Sequence, residues 1–242
     1  MRPFLTATWK YLCMLNYEVR KEILAPYVPP FTELDSYENK FYLSVVGFLF
    51  HDTKVLGVRI PWHVNFEEIN LRFYVKHQSA LESRRGVVFI KEIVPRRAIA
   101  LVARKIYEEP YIAIPTKHEI KMNADGSGRP NSIEYAWKYS DSWNSLSATP
   151  IGGARESQPG SLEEFITEHY WGYTKRSGGG TSEYKVEHPR WKLWDVSNAT
   201  LVCDAAKLYG PKFEQVLASP PSCAFLAEGS AVKVYPGNFI SA

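Results

Sequence analysis

The sequence predicts a mainly β fold of the α+β class: an antiparallel sheet closed into a barrel or sandwich, with three to four peripheral helices. Three observations carry this. Runs of β-branched and aromatic residues recur between turn signals. Helical periodicity is confined to four stretches. No strand–helix–strand unit repeats, as a parallel α/β sheet would require.

Taken in order, residues 16–26 carry Val19, Ile23 and Leu24 at helical spacing, and prolines at 26, 29 and 30 end that helix. The run 41–50 is β-branched and aromatic, hence a strand. Residues 66–75 alternate most cleanly, and 86–94 reads as another strand. After Pro95, residues 97–107 place Ile99, Val102, Ala103 and Ile106 on one helical face, stopped by Glu108-Glu109-Pro110. Residues 117–122 and 132–139 form a hairpin around the turn sequence Asn123-Ala124-Asp125-Gly126. The Ser-, Gly- and Pro-rich stretch 141–160 reads as a long loop. Ser161 and Glu164 make a capping box for a helix reaching Trp171. Gly178-Gly179-Gly180 turns into a strand at 183–188. A strand at 191–197, a helix at 204–218 and a closing strand pair at 222–235 follow.

The chain has 242 residues and is 45% hydrophobic, 23% charged and 14% aromatic, which excludes disorder, collagen repeats and a coiled coil. No linker divides it, so one domain over 1–242 is expected. The net charge of +3 is scattered and does not point to nucleic acid. Cys13, Cys203 and Cys223 are odd in number and lack C-x-x-C spacing, which suggests neither a disulfide framework nor zinc but a reducing cytoplasm. Lys10 interrupts the apolar N-terminal stretch, so a signal peptide is not expected, and no run of 18 apolar residues predicts a membrane span. The six histidines form no H-x-H, H-x-x-H or H-E-x-x-H, so no local metal site is encoded. G-x-S-x-G, P-loop and dinucleotide fingerprints are absent, and no cofactor is expected.

One stretch carries chemistry. In 66–75, strand parity turns Glu68, Asn70, Arg72 and Tyr74 to one face and Ile69, Leu71, Phe73 and Val75 to the other. The plain interpretation is a solvated face with a Glu–Arg pair, contributing about 0–1 kcal/mol. The other is that the polar face lines a barrel interior, where charges must pair and pKa values shift. Asn and Tyr suit a solvated strand face poorly. Elsewhere, His169 shares a face with Leu162, Phe165 and Ile166, as a satisfied core histidine would. His188, beside Pro189 and near Trp191, reads as a hydrogen-bonded packing residue, and Arg96-Arg97 as partners of Glu92. Cys13 has no neighbouring cation or base to activate it.

The E-x-N-x-R-x-Y strand, the helix start Gly160-Ser161-Leu162-Glu163-Glu164-Phe165 and His188-Pro189-Arg190-Trp191 together resemble the YqjF-like (DUF2071) family, which is related to acetoacetate decarboxylase. The resemblance covers nearly the whole chain. It implies a closed, mainly antiparallel β-barrel with outer helices and a central cavity. The decarboxylases carry an Arg, then a Pro six residues on, then the Schiff-base Lys. By resemblance Arg104 takes the Arg position and Pro110 the Pro position, but Tyr111 and then Ile112 follow. A Schiff base needs a primary amine, which a phenol cannot supply. Glu68 matches the family's acidic strand residue.

Three functions stay open on these grounds. One is a lyase-like enzyme acting on a carbonyl or carboxylate compound, with Glu68 as acid or base, Arg72 or Arg104 holding a carboxylate, Tyr111 donating a proton or hydrogen bond, and Asn70 and Tyr74 completing the ligand contacts. The second is a non-catalytic binding or sensing module using the same cavity. The third is a buried stabilising network without a ligand. The partner class is a small molecule, with no nucleic acid or membrane, and a homo-oligomer is compatible with all three.

Overall fold

The computed structural model describes residues 1–79, 82–101, 108–124, 126 and 128–240. Strands make up 58% and helices 13% of the described residues. The strands are β1 (Leu5–Val19), β2 (Glu33–Leu34), β3 (Phe41–Val55), β4 (Phe66–Gln78), β5 (Ser83–Val94), β6 (Tyr111–Ala113), β7 (Thr116–Met122), β8 (Pro130–Tyr139), β9 (Ser142–Glu156), β10 (Trp171–Lys175), β11 (Thr181–Glu187), β12 (Lys192–Val202), β13 (Cys223–Val234) and β14 (Asn238–Ile240). They form one sheet in the order β14-β11-β10-β5-β4-β3-β1-β13-β12-β9-β8-β7, with β2 against β4 and β6 against β5. A further pairing of β11 with β13, Val186 opposite Val234 and Glu187 opposite Lys233, returns the path to itself as a ring of pairings. Most pairings are antiparallel, but β10 and β6 each run parallel to β5.

Both faces of the ring's long strands are buried, for two different reasons. Ile69, Leu71, Phe73 and Val75 of β4 join Val45 of β3, Ile133, Tyr135 and Trp137 of β8, Leu146 of β9 and Phe213 in one core cluster. The outer apolar face is therefore covered by the far end of the same sheet and the C-terminal helices. Gly47 of β3 makes that cover possible: a Cβ there would meet Tyr135 Cδ2 at 2.7 Å. The opposite face of β4 belongs to a second cluster with Met14, Val46, Phe48, Phe50, Phe66, Tyr74, Phe165 and Trp191. Burial on both faces is the normal state of a strand between two layers.

Several sequence expectations change here. Residues 16–19 are the end of β1, and only Lys21–Leu24 is α-helical. Residues 142–156 are not loop but the 15-residue strand β9. The capped helix is Leu162–Thr167, shorter than expected, with Ser161 Oγ accepting from Glu164 N at 3.2 Å and Glu164 Oε2 accepting from Gly160 N at 2.6 Å. Trp171 already opens β10. Gly210-Pro211 splits the expected 204–218 helix into Ala205–Tyr209 and Glu214–Ala218, since proline cannot donate into a continuing ladder. Among the described residues there are five helices, against the expected three to four. The expected strand pair at 222–235 is a single strand, β13. The helix beginning at residue 97 is seen through 101; residues 102–107 lie outside the described residues. No helix among the described residues is long and apolar enough to cross a membrane.

Candidate functional site

On the inner side of the ring, a cavity of about 250 Å³ is walled by aromatic rings including Trp9, Phe48, Phe50, Phe66 and Trp191, and by a small set of polar side chains. Its lining reaches Ile60 and His63 of the β3–β4 connection, where Ile60 is exposed. Register assembles the polar wall. Asn70 of β4 lies opposite Glu92 of β5, and Glu92 lies opposite Tyr111 of β6. Glu68, two residues before Asn70, projects from the same face of β4. Glu109 arrives from the turn before β6, and Tyr184 from β11, where Gly172 opposite it makes room: a Cβ on Gly172 would meet Tyr184 Cζ at 2.2 Å.

The three acids are 3% (Glu68), 1% (Glu92) and 5% (Glu109) exposed. Tyr111 donates to Glu68 Oε2 at 3.1 Å, and Asn70 Nδ2 to Glu68 Oε1 at 3.2 Å. Tyr184 donates a short hydrogen bond to Glu109 Oε1. Burial raises all three carboxyls because it penalises the charged form. Glu68 is pushed up to about 7, against the pull of Asn70, Tyr111 and Arg72. Glu109 is pushed up to about 8, opposed by Tyr184 and helped by the charge of Glu68. Glu92 stands well above the carboxylate range, through burial and then its acidic neighbours Glu109 and Glu68. The Tyr111 phenol is likewise raised, by burial and by the same acids.

Arg72, 9% exposed, is the guanidinium on this wall. Its Nη2 reaches Met14 Sδ at 3.9 Å, and its Nε is buried with no hydrogen-bond partner among the described residues. Asn70 Oδ1 and Glu92 Oε2 are also buried with no hydrogen-bond partner among the described residues. Native proteins rarely leave such atoms unsatisfied. A carboxyl titrating near neutrality can both give and take a proton, and a guanidinium matches a carboxylate.

Of the residues singled out in the sequence, Glu68, Asn70, Arg72 and Tyr111 converge on the cavity. Tyr74 does not line it: its hydroxyl lies 2.6 Å from Ser44 Oγ, which donates onward to Asn16 Oδ1. Arg104 lies outside the described residues, as does Lys105, and no lysine is found among the described residues lining the cavity. His188 stacks on Trp191 with centroids 4.1 Å apart and shares its Nδ1 with Pro189 O at 2.9 Å, the packing role expected of it, while also lining the cavity. His169 is buried and bonded to Asp35 through Nε2 at 3.3 Å, but its Nδ1 has no partner among the described residues. Arg96 and Arg97 are exposed and make no ion pair with Glu92 among the described residues. The Cys13 thiol is fully buried and pushed up to about 12 by that burial, which makes it inert. No cluster of His, Cys, Asp and Glu able to hold a metal ion occurs among the described residues.

Sequence spacing does not mark Glu92 and Glu109 as site residues. Along β5 the inward positions are Val87 and Phe89 and then Val94, while Val88, Ile90 and Ile93 face the outer core. A register shift opposite Leu71 and Arg72 switches the parity and turns Glu92 inward. A buried acid in a run of β-branched residues was the available signal.

The fold recurs in solved proteins. Acetoacetate decarboxylase from Legionella pneumophila superposes with a TM-score of 0.71 at 11% identity, over 99% of this chain and 87% of that one. The enduracididine biosynthesis enzyme MppR complexed with pyruvate gives 0.72 at 12% identity, over 100% and 92%. An acetoacetate decarboxylase-like enzyme from Sphingomonas wittichii RW1 gives 0.71 at 10% identity, over 100% and 95%. At the sequence level, the uncharacterized protein YqjF of Bacillus subtilis (strain 168) is 28% identical over 197 residues, 79% of this chain and 74% of that protein. The model of the DUF2071 family, described as an uncharacterized conserved protein, matches residues 6–231. With that match spanning nearly its whole length, the chain belongs to the DUF2071 family.

Proposed function

We propose that the ring of strands is a closed barrel whose interior binds a small carboxylate or carbonyl compound, and that Glu68 moves a proton on it in a lyase-like reaction without a Schiff base. The observation that carries this is the buried Nε of Arg72 on the cavity wall, without a partner among the described residues, on the same strand face as a carboxyl displaced to near neutrality. A carboxylate ligand would satisfy Arg72. Glu68, with Tyr111 donating to it, would then protonate or deprotonate the carbon or oxygen beside the carbonyl. Tyr111 stands where the resemblance places the amine, so no covalent imine is expected. The pyruvate complex of MppR, on the same fold, supports a small oxo acid as the ligand class.

Two experiments test this. Borohydride reduction in the presence of acetoacetate or pyruvate should leave no adduct by intact mass spectrometry; an adduct on any lysine overturns the imine-free mechanism. Turnover is then followed over a panel of 3-oxo and aromatic acids. Glu68→Gln should lower it roughly 100-fold, and Arg72→Met should weaken acid binding at least tenfold without lowering thermal stability. The last expectation follows because a lone buried cation is often replaceable by an apolar side chain. Arg72-dependent binding of these acids without turnover in the wild type would favour a binding or sensing module. No binding in wild type or variant, together with a more stable Arg72→Met, removes the site altogether.

A further inference from the structure

A second polar centre meets the cavity away from the three acids, and its atoms define a tautomer. Asp35 is anchored by its backbone N–H, which donates to Tyr74 O at 3.0 Å, and its Oδ2 accepts from Arg85 Nε at 2.7 Å. The same carboxyl oxygen faces His169 Nε2 at 3.3 Å. Hydrogen bonding and the Arg85 charge outweigh burial and hold Asp35 down at about 2, so it is ionised and can only accept. Nε2 must therefore carry the proton. Burial above all, with Arg85 and Arg72 adding to it against the pull of Asp35, lowers the imidazole to about 4, so the ring is neutral at pH 7. A neutral ring has a single N–H, which leaves a lone pair on Nδ1.

That Nδ1 is buried and has no hydrogen-bond partner among the described residues, and His169 is one of the residues that border the cavity. The ring is also immobilised. Tyr74 lies 4.7 Å from it, centroid to centroid, and Phe165 meets it edge-on at 5.2 Å. The Arg72 guanidinium carbon sits 5.9 Å from the centroid of the same Tyr74 ring, so one aromatic plate supports both groups.

We infer that His169 accepts a hydrogen bond through Nδ1 from a hydroxyl of the bound molecule, so that the cavity selects a hydroxy acid over the same acid without the hydroxyl. This rests on Arg72 holding a carboxylate, as proposed above. The specificity follows from desolvation: an acid without the hydroxyl leaves a buried acceptor unpaired. The aromatic wall accommodates an aryl body. Asp35 acts through His169 as a positioning residue, fixing which nitrogen carries the proton.

The test uses matched pairs at pH 7 by titration calorimetry: mandelate against phenylacetate, and 3-phenyllactate against 3-phenylpropionate. In the wild type the hydroxy acid of at least one pair should bind about tenfold more tightly. His169→Phe should abolish that preference while leaving the affinity for the hydroxyl-free acid within about twofold. His169→Asn, which can place an amide oxygen near the Nδ1 position, should restore part of it. Nitrogen NMR of the wild-type protein gives an independent readout should the Phe variant not fold. His169 should show the Nε2–H tautomer, and its Nδ1 resonance should move with the preferred hydroxy acid and not with its partner. If the hydroxyl-free acids bind in an Arg72-dependent way but neither pair shows a preference, or the preference survives His169→Phe, this inference fails and the carboxylate reading stands. If no acid of either pair binds, both fail.

Discussion

Among the buried acids of the described residues, two sites resolve burial in opposite ways. Glu68, Glu92 and Glu109 are gathered with two phenols, Tyr111 and Tyr184; burial lifts Glu68 to about 7 and Glu109 to about 8, and holds Glu92 well above the carboxylate range. Asp35 is nearly as buried, yet its carboxyl falls to about 2 because Arg85 and His169 bond to it directly. Depth alone therefore does not decide charge; a cation and donors at hydrogen-bond distance do. One group holds its protons to higher pH than free carboxyls do. The other stores a fixed negative charge that orients an imidazole.

The most severe way to break this contrast is Asp35→Asn. It leaves Arg85 and the His169 Nε2–H without their charged acceptor, and should cost about 2–3 kcal/mol in urea unfolding at pH 7, less than a fully buried pair because Arg85 is partly solvated. A neutral effect would mean that Asp35 is not the charged partner described here. Next in size is Glu109→Gln, which keeps an acceptor for Tyr184 and removes the penalty of a buried acid. Between the ordinary carboxyl value of 4.5 and about 8, the folded state holds a proton that the unfolded state has lost. Stability from this group therefore falls as pH rises through that window. The Gln variant should be more stable than wild type by on the order of 1–2 kcal/mol at pH 8, a difference that closes at pH 4.

The smallest expected effect sits on the other side. His169 binds its proton only near pH 4 in the fold but near 6.5 when unfolded, so its contribution is complete above 6.5 and lost as pH falls toward 4. His169→Phe should flatten the acid limb of the stability–pH curve over that interval by on the order of 1 kcal/mol. A slope unchanged by the substitution would place the neutral imidazole, and with it the lone pair on Nδ1, in doubt.

Much of the site is legible in one strand. The alternation of β4 identifies Glu68, Asn70 and Arg72 as sharing a face, and the cavity receives all three. Tyr74 obeys the same parity, but Ser44 on the neighbouring strand takes its hydroxyl, a partner that no spacing along β4 discloses. The loop expected at 141–160 misreads composition as conformation. Leu146 and Ala148 alternate with small polar residues and are buried in register between β8 and β12, so β9 is a strand whose outer positions happen to be Ser and Thr. Likewise, the helical spacing of Val19, Ile23 and Leu24 spans the end of β1 and a separate short helix. Local periodicity does not see a strand boundary that pairing with β3 and β13 determines.

The amino-acid sequence by itself determines the mainly β class, the positions of β3, β4, β5 and the β7–β8 hairpin, and the lack of an amine at residue 111, because each is written in residue type or in a period of two over a few positions. Only the tertiary structure decides that both faces of β4 are buried, that Glu92 turns inward, and that Glu109, Tyr184 and the Asp35–His169 pair meet the same chamber or its wall. Those outcomes depend on a register shift in β5 and on contacts between segments as far apart as residues 35 and 169. Such contacts are set by how the whole sheet curls and packs on itself, and no local stretch of chain encodes that energy.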